Sequence, residues 1–335
     1  MFSTLKFPLK TLVIGTALLG LAGPALADEV NVYSYRQPQL IEPLLNAFTA
    51  ETGIEVNTLF AKKGMAEKLA AEGEQSPADV ILTVDIGRLM EVKDKGLVQP
   101  VQSEIIAGNV PANYRDPENE WFALTYRTRL FYVSNRVEKG TITSYEDLAD
   151  PKLKGRVCTR PGSHSYNLAL IASKIAHDGE EKTQAWLEGV KANLARKPQG
   201  NDRAQVKAVA DGICDVAVGN NYYYAKMLKN DEQKAWAEAV YLVFPNQEDR
   251  GAHVNISGMA MAKYAPNKEA ALKLMEFLTS DKAQAIYAAD NYEYPVKPGV
   301  AWSELVESWG RFKADEIDLA AIAEARSKAL VLVNT

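Results

Sequence analysis

The chain has 335 residues, 47% of them hydrophobic and 24% charged. That balance is far from the low-hydropathy, high-charge regime of disordered chains, and the length suits two ordinary domains or one large one. Lys and Arg number 38 against 43 Asp and Glu, a net charge of −5. No basic block stands out, so the sequence offers no nucleic-acid surface.

The N-terminal segment, residues 1–27, reads as an export signal. Lys6 and Lys10 precede the apolar run Thr11 to Ala22, Gly23-Pro24 breaks it, and Ala25-Leu26-Ala27 has the small-x-small pattern of a cleavage site. The run is shorter than the roughly 20 residues that span a bilayer. A buried first helix is the alternative. Cleavage after Ala27 removes two lysines and moves the charge from −5 to −7. The expected product is exported and soluble. An oxidising compartment favours pairing the two cysteines, Cys158 and Cys214, which lie in short apolar segments that read as neighbouring strands. Two buried free thiols are the alternative.

Beyond the signal, strands and helices alternate. Val30 to Ser34 reads as a strand, and Ile41, Leu44, Leu45 and Phe48 fall on one helical face that Gly53 can close. A strand from Ile54 to Ala61, a helix from Gly64 to Glu72, a buried strand Val80 to Val84 and a helix from Gly87 to Lys95 follow. This is the pattern of an open α/β sheet covered on both faces. Trp121 to Ser134 is a long extended segment, suited to passing from one domain to another. Ser144 can cap a short helix together with Asp147. The Cys158 strand then leads to helices at 166–177, 181–194 and 202–211. The Cys214 strand ends at Gly219-Asn220-Asn221, where Tyr222 opens a helix; strands at 240–244 and 254–262 and helices at 268–278 and 283–289 complete the pattern. Two α/β lobes joined by extended crossovers describe a solute-binding protein that closes on its ligand by hinge motion. The expected division places 28–124 and 258–335 in the first lobe and 125–257 in the second.

In such sheets ligands sit beyond the carboxyl ends of strands, facing helix N-termini. Three strand-to-helix junctions carry tyrosine: Tyr33-Ser34-Tyr35-Arg36-Gln37, Gly162-Ser163-His164-Ser165-Tyr166 and Gly219-Asn220-Asn221-Tyr222-Tyr223-Tyr224. Three consecutive tyrosines on a helix point about 100° apart, so they cannot all be buried on one face. They serve either as an aromatic rim or as phenolate ligands. A phenol with a pKa of about 10 is neutral at pH 7. A trivalent hard cation favours the deprotonated form, as does a helix N-terminus. Three phenolates match the charge of Fe³⁺. Arg127 and Arg129 share one face of the extended segment and are candidates to hold an anion that completes the coordination.

At this point the chain resembles a known family. VYSYRQP, SPADVILTVD, WFALTYRTRLFYVSN, KANLARKPQGNDRAQVKAVADGICD and GNNYYYAKML are similar to segments of the periplasmic ferric-ion-binding proteins of bacterial iron ABC importers. The resemblance covers nearly all of 28–296. It implies the two-lobed type II periplasmic binding fold, a periplasmic location, Fe(III) ligands at Tyr166, Tyr222 and Tyr223, and an inner-membrane ABC permease as partner to a monomer. It also implies a synergistic anion such as carbonate held by Arg129 or Arg127. Tyr224 falls where relatives place a packing aromatic. Many relatives carry His-Tyr after the first strand; here Gln37-Pro38 follows Arg36. This resembles the subgroup whose tyrosine ligands come from one lobe, with Tyr35, Arg36 or Gln37 left as first-lobe contributors.

Enzyme motifs are missing. His164, His177 and His253 are too scattered for an HExxH-type zinc site, two cysteines cannot build a structural one, and no GxSxG elbow, P-loop or GxGxxG occurs. The competing expectation is a binder of an organic cation such as thiamine or a polyamine, held by cation–π contact. Arginines beside the tyrosines oppose it.

Overall fold

The computed structural model describes Met1 and residues 29–334. The expected export signal, apart from Met1, lies outside the described residues. Among the described residues there are ten strands: β1 (Glu29–Ser34), β2 (Glu55–Phe60), β3 (Val80–Thr83), β4 (Val98–Gln99), β5 (Phe122–Ser134), β6 (Val157–Cys158), β7 (Val216–Asn220), β8 (Val240–Val243), β9 (Val254–Ala262) and β10 (Tyr294–Pro295). They follow the order β2-β1-β3-β9-β5-β7-β6, with β4 on β9 and both β8 and β10 on β5.

The long strand β5 divides this path in two. Its first half, Phe122 to Thr128, pairs antiparallel with β9 and, through Thr125 and Tyr126, with β10. Its second half begins at Arg129, which pairs with Asn220 of β7, while Phe131 to Ser134 pair with β8. The chain thus leaves the first sheet between Thr128 and Arg129 and re-enters it at Val254, where β9 begins. The extended crossover expected from Trp121 to Ser134 is this strand. The largest apolar core surrounds the first sheet, and two smaller ones contain the apolar side chains of the second.

Helix α1 (Pro38–Thr52) buries Ile41, Leu44, Leu45 and Phe48, and Gly53 ends it at φ 73°, a left-handed conformation that glycine adopts without a Cβ clash. Next come α2 (Met65–Glu72) and α3 (Ile86–Asp94), the latter capped by Asp85, whose Oδ1 accepts from Gly87 N. A short helix α4 spans Glu104–Asn109. The expected Ser144–Asp147 cap is reciprocal: Asp147 N donates to Ser144 Oγ at 3.2 Å and Ser144 N to Asp147 Oδ2 at 2.9 Å. What it caps is a single 3₁₀ turn, Glu146–Ala149.

Around the second sheet lie α5 (Ser165–Asp178), α6 (Glu180–Ala192), α7 (Asp202–Ala210) and α8 (Asn221–Leu228). The last helices, Leu319–Glu324 and Arg326–Asn334, pack against α5, and the first of them also touches α3. Cys158 and Cys214 are bonded, with their Cα atoms 5.9 Å apart. Cys214 itself precedes its strand, which starts at Val216. The bond therefore ties β6, which leads into α5, to the entrance of β7, which leads into α8.

Candidate metal centre

Helix α5 starts at Ser165, so Tyr166 is its second residue. His164 is the cap: its Nδ1 accepts from Tyr166 N at 3.2 Å. Strand β7 ends at Asn220 and α8 starts one residue later, which puts Tyr222, Tyr223 and Tyr224 in a single helical turn. Their spread in direction then sorts them. Tyr224 turns to the interior, packing on Tyr132 and edge-on to Trp309 with centroids 6.5 and 5.7 Å away. Tyr222 and Tyr223 face a cleft of about 450 Å³ together with Tyr166. The phenol oxygens of Tyr222 and Tyr166 are 3.2 Å apart, and the rings of Tyr222 and Tyr223 are 4.4 Å apart between centroids. The three residues expected to act together meet at one wall.

The wall is positively charged. Guanidinium groups of Arg127 and Arg129 each lie 5.8 Å from the Tyr166 ring centroid, and that of Arg160 lies 5.2 Å from it. Arg203 is 5.2 Å from the ring of Tyr223, and the Lys226 ammonium 5.9 Å from that of Tyr222. Arg127, Arg203 and Lys226 line the cleft, and among the described residues none of the three is in an ion pair.

Burial pushes the Tyr222 phenol well above its ordinary value, and Tyr166 and Tyr223 push it further. Burial and Tyr166 likewise push Tyr223 up to about 12. At neutral pH these groups keep their protons in the absence of a cation. Only a strongly charged metal ion displaces them, releasing protons as it binds.

The two arginines of β5 diverge. Arg129 is committed inward: Nη1 donates to Asp202 Oδ2 and Asn220 Oδ1 at 3.0 and 2.9 Å, and Nε and Nη2 donate to Asn167 Oδ1 at 3.2 and 2.7 Å. Arg127 lines the cleft and donates to Ser257 Oγ at 3.4 Å and to the Val84 carbonyl.

From the first sheet, Tyr35, Arg36 and Gln37 border the same cleft. The Tyr35 hydroxyl oxygen accepts from Met65 N at 3.0 Å, and Arg88 lies 4.1 Å over its ring. Arg36 is buried, paired at 2.9 Å with Glu293 and donating at 2.5 Å to Ser257. Of the other histidines, His253 shares a small cavity with Arg127, Arg129 and Tyr166, behind the cleft wall. His177 sits 2.8 Å from Asp315, and His253 is buried in the loop leading into β9. The carboxylates Asp116, Glu118 and Glu120 cluster around Lys93 Nζ, at 2.6, 2.9 and 3.4 Å, which offsets part of their charge. Sequence reasoning did not single out Asp202, Arg203, Lys226 or Asn167, for which the QGNDR and GNNYYYAKML segments gave only a general signal; Asn220 was named only as part of its junction.

Two α/β units on either side of a cleft, joined by a strand shared between their sheets, define a hinged solute-binding protein. The family model of bacterial extracellular solute-binding proteins matches residues 75–313. Iron uptake protein A1 of Synechocystis sp. is 45% identical over 97% of this chain and 94% of its own length. Apo ferric ion-binding protein A of Pasteurella haemolytica is 53% identical, with a TM-score of 0.87 covering 92% of this chain and 97% of that one. A Trichodesmium protein solved in complex with iron and citrate ligands is 40% identical, with a TM-score of 0.87 over 91% and 98% of the two chains. The chain belongs to this family of solute-binding proteins and is a binding protein, not an enzyme.

Proposed function

We propose that the protein captures Fe(III) as cargo on the phenolates of Tyr166, Tyr222 and Tyr223 and delivers it, as a periplasmic monomer, to an inner-membrane ABC permease. The observation that carries this reading is the convergence of three phenols on one cationic wall, with Tyr166 and Tyr222 oxygens 3.2 Å apart. Three phenolates balance the ferric charge and leave Arg127, Arg203 and Lys226 to hold an anion such as carbonate that fills the remaining coordination positions. Arg127 suits that role better than Arg129, whose fork is already spent on Asp202, Asn167 and Asn220. The iron-uptake and ferric-binding relatives support the choice of metal. Export is supported by the extracellular family and by the sequence of residues 1–27. Among the described residues, no helix is long and apolar enough to cross a membrane. Thiamine or a polyamine fits poorly, because a cationic ligand would meet three cations unpaired among the described residues, and Glu293, the carboxylate lining the cleft, is already paired with Arg36.

The test is a visible absorption titration of apo protein with chelated Fe(III), with and without bicarbonate. A phenolate-to-iron band saturating at one iron per chain is the expected result, stronger with bicarbonate. A colourless endpoint overturns the assignment.

A further inference from the structure

Behind the tyrosines lies a charged group that the binding of iron does not use directly. Asp202, the first residue of α7, is completely buried. Its Oδ2 accepts from Arg129 Nη1 at 3.0 Å and from Asn220 N at 3.1 Å, and its Oδ1 accepts from Arg160 Nη1 at 3.1 Å. Both arginines are buried as well. Each connects to a ligand-bearing helix. Arg129 holds Asn167, the neighbour of Tyr166, and also Asn220, whose Nδ2 donates to Tyr222 Oη at 3.3 Å. Arg160 gives its carbonyl to Asn167 Nδ2 at 3.0 Å and sets its guanidinium 5.2 Å from the Tyr166 ring.

Two guanidinium groups against one carboxylate leave the trio with one net positive charge, fixed in a region of low dielectric. Buried ion networks of this kind contribute little net stability, yet breaking one is costly. We propose that Asp202 is a positioning residue of the metal site: by clamping Arg129 and Arg160 it orients Tyr166 and Tyr222 and sets the electrostatic potential at their oxygens. This rests on the tyrosinate reading above.

A positive potential at a phenolate stabilises the electron that charge transfer moves to iron, so the position of the visible band reports it. The experiment uses the mature protein loaded from ferric nitrilotriacetate in bicarbonate buffer. Asp202→Asn removes the negative charge, and its band is expected at shorter wavelength than wild type. Arg160→Met removes a positive charge with little change in volume, and its band is expected at longer wavelength. Asp202→Glu, which restores the carboxylate, returns the band towards wild type. A merely structural role lowers the amount of folded, iron-loaded protein but does not shift the two bands in opposite directions. Bands that coincide with wild type, or that move the same way, overturn the proposal. Should Asp202→Asn not fold, the sign of the Arg160→Met shift decides alone. A colourless wild type overturns the ligand assignment itself; a coloured wild type whose band no variant moves overturns only the role of Asp202.

Discussion

On the second-sheet wall of the cleft, Tyr166, Tyr222 and Tyr223 turn their phenols towards one another; in the first sheet, Tyr35 at the cleft and Tyr33 two residues before it give theirs to the protein. Tyr33 donates to Glu72 at 3.0 Å, and the Tyr35 oxygen accepts from Met65 N at 3.0 Å. The arginines show a similar contrast: Arg36 of the first sheet is neutralised by Glu293, whereas Arg203 beside Tyr223 has no carboxylate partner among the described residues. The lesson is that residue type alone does not make a ligand. A side chain is available to cargo when its neighbours leave its polar atoms unspent.

Five substitutions, one of them read through a pH profile, would break or sharpen this contrast. Tyr223→Phe carries the largest expected effect, a loss of Fe(III) affinity on the order of a thousandfold, about 4 kcal/mol, measured by competition with a chelator. Its melting temperature should stay close to wild type; an affinity near wild type would remove Tyr223 from the ligand set. Arg129→Gln should cost about 3 kcal/mol of folding stability in urea unfolding, because Asp202 loses a buried partner.

The joint between the walls should respond to acid. Burial, then the charges of Arg129 and Arg127, hold the His253 imidazole down to about 3. The folded protein therefore keeps it neutral while the unfolded chain takes up a proton below about 6.5. This contribution is complete above that pH and is lost, at about 1.4 kcal/mol per pH unit, as pH falls from 6.5 towards 3. In His253→Gln, unfolding measured across that range should be less steep by one proton. Arg127→Gln is expected to weaken iron binding about tenfold and to reduce its dependence on bicarbonate. Tyr35→Phe is the smallest: affinity should change less than about twofold, with about 1 kcal/mol of stability lost with the bond from Met65. A large loss of affinity would place Tyr35 among the ligands and undo the contrast.

The α/β alternation, the long crossover and the tyrosines at strand ends were legible in the sequence because each is a local pattern: periodicity, a run of β-formers, a helix that opens on Tyr222. The paired cysteines were legible from their small number. The division of labour between Arg127 and Arg129 was not. Residues two apart on a strand read alike, and what separates them is Asp202, 73 positions away from Arg129 along the chain. Asp202 itself reads as an ordinary acidic residue in the first turn of a helix, since nothing nearby in the sequence shows that two arginines converge on it. The commitment of Tyr35 to Met65, 30 residues on, was hidden for the same reason.

The strand shared by the two sheets has a mechanical consequence. Arg127 is tied to Ser257 and Val84 on one side of the break in pairing, and Arg129 to Asn167, Asp202 and Asn220 on the other. Both lie 5.8 Å from the same phenol ring. A pivot between residues 128 and 129 would then act as a lever with its load at Tyr166: turning the sheets apart withdraws one guanidinium from the ring and leaves the other in place. A permease that pries the two halves open would loosen the anion before it disturbs a single tyrosine.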